Sequence, residues 1–165
     1  MASDAPARVM SGFEAGTDVQ EFVPGQAANE PCIPGDFFYI DTADLGQMKR
    51  AGTDPTLIAG ISEVDTEQAR VLTANGAVPG RILSAANVRI ALYSATLPVY
   101  STHVGNSYGI TRNASGHWLL DVAKTTTSSR VKVVGISTDE SGFEFFICQI
   151  HENILQFSDL TVATV

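Results

Sequence analysis

A chain of 165 residues is about one domain long and can bury roughly two thirds of the surface that its unfolded form would expose. Its net charge of −8 comes from scattered Asp and Glu, and no cluster of Lys and Arg stands ready to displace phosphate counterions, so no nucleic-acid partner is expected. No apolar run approaches the ~18 residues of a membrane-spanning helix, and the N-terminus lacks the apolar centre of a secretory leader, so neither a membrane partner nor a signal peptide is expected.

With 44% apolar and 17% charged residues the composition lies far from the disordered regime, and plentiful Val, Ile and Thr without Leu-rich heptads point to an all-β class. Residues 1–35 are rich in Ala, Gly, Pro, Asp and Glu, with apolar residues spaced too irregularly for a helix or strand. Such a segment cannot offset its ordering entropy by local burial. It reads as an extended N-terminal arm held by a neighbouring molecule, with Phe13, Val19, Phe22 and Val23 as anchors; the alternative is an arm folded back over the chain's own barrel.

After the turn signal Pro34-Gly35, Asp36 to Asp41 reads as a strand, Leu57 to Ile61 as a second, and Gln68 to Thr73 as a third, with a single helical turn within Ser62 to Gln68. Asn75-Gly76 is a hairpin dipeptide leading into Val78 to Leu83. Val88 to Tyr93 alternates, with Val88, Ile90 and Leu92 on one face. Leu97-Pro98-Val99-Tyr100 reads as an edge piece, since Pro98 cannot donate to a ladder.

The strongest signals lie between His103 and Ile150. Asn113-Ala114-Ser115-Gly116 separates Tyr108 to Arg112 from His117 to Ala123, and Asp139-Glu140-Ser141-Gly142 separates Val131 to Thr138 from Phe143 to Ile150. Each set reads as an antiparallel hairpin. The last strand is apolar on both faces from Phe145 to Cys148, as in a strand covered on both sides. The whole predicts one barrel or sandwich of about eight or nine short antiparallel strands over residues 36–151. Its core is expected from Val88, Ile90, Leu92, Tyr108, Trp118, Leu120, Val122, Val133, Phe145 and Ile147. Residues 152–165 form an apolar tail whose Leu155, Phe157, Leu160 and Val162 are expected to meet another subunit or the chain's own sheet.

Candidate chemistry is sparse. Gly105-Asn106-Ser107-Tyr108-Gly109 has the spacing of a nucleophile elbow, but that motif needs a strand before the Ser and a helix after it, whereas a strand follows here. Asp41, in Asp41-Thr42-Ala43, could serve a homodimeric aspartic peptidase only if a second copy supplied the partner carboxylate, and Ala43 stands where that turn wants glycine. Asp36, Asp41 and Asp44 lack the loop that converges ligands on calcium. His103, His117 and His151 have no ligand spacing and read as surface or strand-flank residues. Cys32 and Cys148 read as buried free thiols. No catalytic residue, metal or cofactor is therefore expected. A carbohydrate- or receptor-binding module would need exposed rings among Tyr93, Tyr100, Tyr108 and Trp118, although the apolar companions of Trp118 favour its burial.

The order and spacing from Leu97-Tyr100 through Val104-Gly105, Tyr108-Gly109, Trp118 with Asp121, Val131 to Gly135 and the closing apolar strand resemble the head decoration, or capsid cementing, proteins of tailed bacteriophages. Pro34 to Thr42, Lys49-Arg50-Ala51-Gly52 and Ile58-Ala59-Gly60-Ile61 resemble small barrel-type virion proteins. The resemblance implies a small β-barrel on the outer surface of an icosahedral head, bound to the major capsid protein and to itself, as a homotrimer sooner than a homodimer. It carries no catalytic residues.

Overall fold

The computed structural model describes residues 5–10, 17–25, 31–43, 46–71, 76–83 and 88–157. The protein is all-β. Eleven strands among the described residues form two sheets, more than the eight or nine expected from sequence, because two come from the N-terminal segment and one, Gln47–Arg50, from a stretch where no strand was expected. In chain order these are β1 (Arg8–Val9), β2 (Thr17–Phe22), β3 (Phe37–Asp41), β4 (Gln47–Arg50), β5 (Gly60–Ser62), β6 (Val78–Leu83), β7 (Ile90–Leu92), β8 (Ser107–Arg112), β9 (Trp118–Asp121), β10 (Val131–Thr138) and β11 (Glu144–Ile150).

The five-stranded sheet has the order β2-β6-β5-β3-β4, every neighbour antiparallel. Going round five alternating strands, the first and last must run the same way, so the sheet can close only through a parallel contact. It does: beyond the end of β2, Pro24 bridges Met48 of β4 in parallel, with Met48 N donating to Val23 O and Gly25 N to Met48 O. The second sheet repeats the path. Its order β7-β11-β10-β8-β9 returns to β7 through a parallel bridge between Tyr93 and Leu119, and β1 pairs with β7 on the edge that β11 leaves free. Counted within each sheet, the strands lie in the order first, fifth, fourth, second, third, then first again, so one topology occurs twice in the chain.

Side-chain alternation fills both units. In the first, Phe38 sits among Met48, Ala59, Val78 and Ile82, and its ring meets Phe22 at 5.5 Å between centroids. The ring comes close to Gly60 and Gly80, where a Cβ would approach it to 2.6 and 2.9 Å, so these two strands need glycine to pass beside it. In the second, Ile90, Leu92, Tyr108, Ile110, Trp118, Leu120, Val131, Val133, Phe146, Cys148 and Ile150 form the major core. Phe37, on the opposite face of β3 from Phe38, joins that core and packs against Trp118 at 5.3 Å. The two units therefore share apolar contacts at β3.

Both long hairpins form as expected, and with the same turn. Asn113 N and Asp139 N donate to His117 O and Phe143 O; Gly116 N and Gly142 N donate back to Asn113 O and Asp139 O. The Asn113 side chain accepts from His117 N and that of Asp139 from both Ser141 N and Phe143 N, and Gly116 and Gly142 take positive φ of 90° and 83°. β11 is covered on both faces as expected. Phe145 and Ile147, placed in the barrel core by sequence, lie instead on its outer face with Ala91 and Tyr93, beneath Ala5 and Met10. Val122 is half-buried in the turn after β9 and packs on the major core.

Three sequence expectations are corrected. Gln68 to Val71, the described part of the expected strand Gln68 to Thr73, is not a strand: Asp65 caps a helix, α1 (Thr66–Arg70), by accepting from Glu67 N and Gln68 N, and Val71 ends it exposed, while residues 72–75 lie outside the described residues. Leu97 to Tyr100 is not an edge strand, for Val99 and Tyr100 enter a short helix, α2 (Tyr100–His103), and spend their backbone groups locally. The segment expected as an extended arm over residues 1–35 supplies β1 and β2 to the chain's own sheets, as the alternative of an arm folded back on the chain had it. The start of the expected tail also docks on the chain: Ile58 bridges Leu155, and the Gln156 amide donates to Ile40 O and accepts from Ile40 N.

Candidate functional site

The sequence-level candidates for chemistry are taken up by the fold. Asp36, fully buried, is the centre of the most demanding network. Its two carboxylate oxygens accept four hydrogen bonds: Arg112 Nε at 2.8 Å and Trp118 Nε1 at 3.0 Å on Oδ1, Arg112 Nη2 at 3.2 Å and Ile33 N at 2.9 Å on Oδ2. Every acceptor direction of the carboxylate is used, so none is left for a cation. The network ties the loop before β3 to the first hairpin of the second unit.

Asp41 closes the β3–β4 turn by accepting from Ala43 N and pairs with Lys49 Nζ at 3.1 Å. That is the work of a strand-end aspartate. Asp44 lies outside the described residues. Among the described residues no group of three or more His, Cys, Asp or Glu side chains converges on a metal position.

Ser107 opens β8 with α2 before it and a strand after it, the reverse of an elbow's order. Its Oγ lies 3.1 Å from His151 Nε2. Burial, with Arg130 and Lys132 nearby, pushes the His151 imidazole below the ordinary histidine value, which favours the neutral ring. Among the described residues no carboxylate is hydrogen-bonded to His151, and the pair lacks the third group that orients a catalytic base.

His103, expected at the surface or on a strand flank, is buried in α2 against the rings of Tyr108 and Phe146 at 5.9 and 5.3 Å, and its Nδ1 accepts from Val99 N at 2.9 Å. Cys32 and Cys148 are free and buried; burial and the Asp36 carboxylate push the Cys32 thiol up to about 12, and burial pushes Cys148 upward too. Of the four rings that a sugar platform would need, Trp118, Tyr93 and Tyr108 are buried and Tyr100 alone is exposed, at 70%.

What the described surface offers instead is apolar. Leu97, Val99 and Tyr100 stand exposed in one short stretch, and Val19, Val23, Leu57, Val71 and Phe157 are exposed elsewhere. Of the residues expected to contact a partner, Val19, Val23 and Phe157 are thus at the surface. Phe22 is half-buried on Phe38, and Leu155 is buried in the chain's own core, drawn there by the bridge to Ile58. Phe13, Leu160 and Val162 lie outside the described residues. Sequence reading missed the Leu97 to Tyr100 surface because its apolar pattern equals that of a short strand. The signal that could have found it is an absence of charge: residues 90–111 contain no Asp, Glu, Lys or Arg.

The fold and surface together define an all-β chain of two closed five-stranded units with several large apolar side chains exposed. Comparison with protein-family models, with curated proteins and with solved structures finds no match. No helix among the described residues is long and apolar enough to cross a membrane.

Proposed function

We propose that the chain is a structural virion protein that binds the outer surface of an icosahedral phage head and cements adjacent major capsid subunits. The observation that carries this reading is the set of large apolar side chains held in water by a tightly connected β-body, Leu97, Val99 and Tyr100 above all. Exposed apolar groups on an ordered scaffold favour protein contact. The resemblance noted from sequence supplies the setting. Among the residues considered for chemistry, Asp36, Asp41, His103 and Trp118 each have a structural partner that accounts for them.

The reading differs from the expectation of a gripping N-terminal arm. Since β1 and β2 belong to the sheets, contact falls to side chains projecting from the body. The test is co-sedimentation of the purified chain with heads of the same virus lacking it. Saturable binding at a fixed number of copies per head supports the proposal; no binding under physiological salt contradicts it.

A further inference from the structure

We infer that the outer face of the second unit holds a binding site for a small tetrahedral oxyanion of the sulfate or phosphate class, built from Lys132, His151 and Ser107 with Arg130 beside them. The inference does not depend on the shell reading.

The neighbouring strands β8, β10 and β11 place these side chains by register. Ser107 pairs with Lys132 and Lys132 with Gln149, and two residues along β10 the His151 N–H donates to Arg130 O. Tyr108, Val131 and Ile150, the row between, are buried in the major core. Alternation therefore turns Ser107, Arg130, Lys132 and His151 together to the opposite side, where Lys132 is exposed and the other three are half-buried. His151 Nε2 lies 3.1 Å from Ser107 Oγ although β10 runs between their strands, so the imidazole lies across β10 between Arg130 and Lys132. A Cβ at Gly109, two residues on from Ser107, would run into the Lys124 stem and Ser128 O, which makes the segment after β9 a wall along the same face.

Charge selects the ligand. The chain carries −8, yet residues 122–138 hold Lys124, Arg130 and Lys132 and no Asp or Glu, so this face is locally positive on a negative body. Two of these cations are answered. Lys124 Nζ lies 4.0 Å from Asp121 Oδ2, and Arg130 Nη2 lies 3.3 Å from Asp54 Oδ1 while its Nη1 donates to Thr127 O and Ser129 O. The buried Arg130 Nε has no partner among the described residues, so even there the offset is incomplete. Lys132 and His151 are not answered: among the described residues no carboxylate pairs with either, and Glu152 follows His151 in the chain without bonding to its ring. The charges that act on the imidazole are those of Arg130 and Lys132, and with burial they favour its neutral form. A dianion seated against Lys132 reverses that balance and favours a proton on His151. A protonated imidazole donates from Nε2, so Ser107 Oγ accepts from it and turns its own hydroxyl to the anion. A tetrahedral dianion accepts from several directions and offsets Lys132 and the imidazolium together, which one carboxylate does not.

The experiment titrates the full chain with sodium sulfate, against sodium chloride at matched ionic strength, by calorimetry and by NMR of the histidine ring protons, with His151→Gln assigning the His151 signals. Sulfate stays a dianion from pH 8 to pH 6, so a change in affinity over that range belongs to the protein. The expected results are saturation with a Kd of ~1 mM or tighter at low ionic strength, a rise in the His151 pKa on saturation, and tighter binding at pH 6 than at pH 8. Lys132→Gln is expected to weaken binding roughly tenfold or more, while Lys49→Gln, which removes the same charge from the other sheet, leaves it unchanged. Circular dichroism establishes that each variant is folded. Phenyl phosphate bound as tightly as sulfate admits a phosphoryl group carried on a larger molecule, whereas sulfate bound alone restricts the site to the free ion; each supports the site. A response to sulfate no larger than to chloride overturns the inference. So does equal weakening by Lys132→Gln and Lys49→Gln, which marks a general field, and so does a pH-independent affinity in the native chain, which removes His151 from the site.

Discussion

Asp36 is the residue on which the two halves of the molecule most depend. A buried carboxylate is costly to desolvate, and here the cost is met by a bidentate arginine, an indole N–H and a backbone N–H. Replacing Arg112 by Met leaves that carboxylate unpaired inside the fold, and urea denaturation is expected to show a loss of about 3–5 kcal/mol. A loss below ~1 kcal/mol, the scale of an exposed pair, would show that the network is not buried in solution. None of this was legible from sequence, where Asp36 reads as the polar end of a strand. Its partners Arg112 and Trp118 lie 76 and 82 residues away, and nothing local marks them. By contrast, burial of Trp118 and Cys148 was legible, because each stands in a strand whose neighbours in sequence are largely apolar.

His151 gives the residue scale a pH dependence. Its folded pKa lies below the ordinary histidine value, so as pH falls the unfolded chain takes up this proton first. The contribution of this group is therefore present at neutral pH and is lost as pH drops through the histidine range. Thermal unfolding followed from pH 8 to pH 5 should show a falling midpoint, with a shallower fall for His151→Gln. An identical slope in that variant would remove His151 from the account.

At the scale of elements, hairpins were readable and pairings across the chain were not. Asn113 to Gly116 and Asp139 to Gly142 announce their turns through an acceptor side chain at the first position and a glycine at the last, all within four residues. β1 and β2 carry no such local mark, since their partners are Ala91 and Ile90 for one and residues 78–83 for the other. An entropy argument confined to local burial sees an unsupported arm where the sheets find two strands. Deleting residues 1–10 uncovers the outer faces of Ala91, Tyr93 and Phe145 and removes β1 from the sheet edge. The prediction is a lower unfolding midpoint with the fold retained, whereas deletion of residues 1–24 also removes β2 and the closing bridge and is expected to prevent folding of the first unit. A truncated chain as stable as the native one would restore the free arm. Gly60→Ala is a sharper probe of closure, because its Cβ would collide with Arg81 O as well as with Phe38. The expected outcome is loss of soluble, folded protein, checked by circular dichroism.

At the scale of the molecule, one path of five strands is used twice, and the two units meet through Phe37, Trp118 and the Asp36 network. Connected in this way, the units should unfold together, giving a single transition by both Trp118 fluorescence and far-ultraviolet circular dichroism. Two separated transitions would contradict the coupling. The same solidity gives the exposed side chains their meaning. Apolar groups on a mobile loop would fold away from water, whereas those of Leu97 to Tyr100 are held out by buried His103 and Ser94.

The proposed cementing role is tested most directly by heating heads of the same virus with and without the bound chain and recording the temperature at which they release their DNA. The account predicts a higher release temperature at saturating chain, returning toward the bare-head value when binding is weakened at Leu97 and Tyr100. Heads that carry the chain at full occupancy and open at the same temperature as bare heads would contradict it.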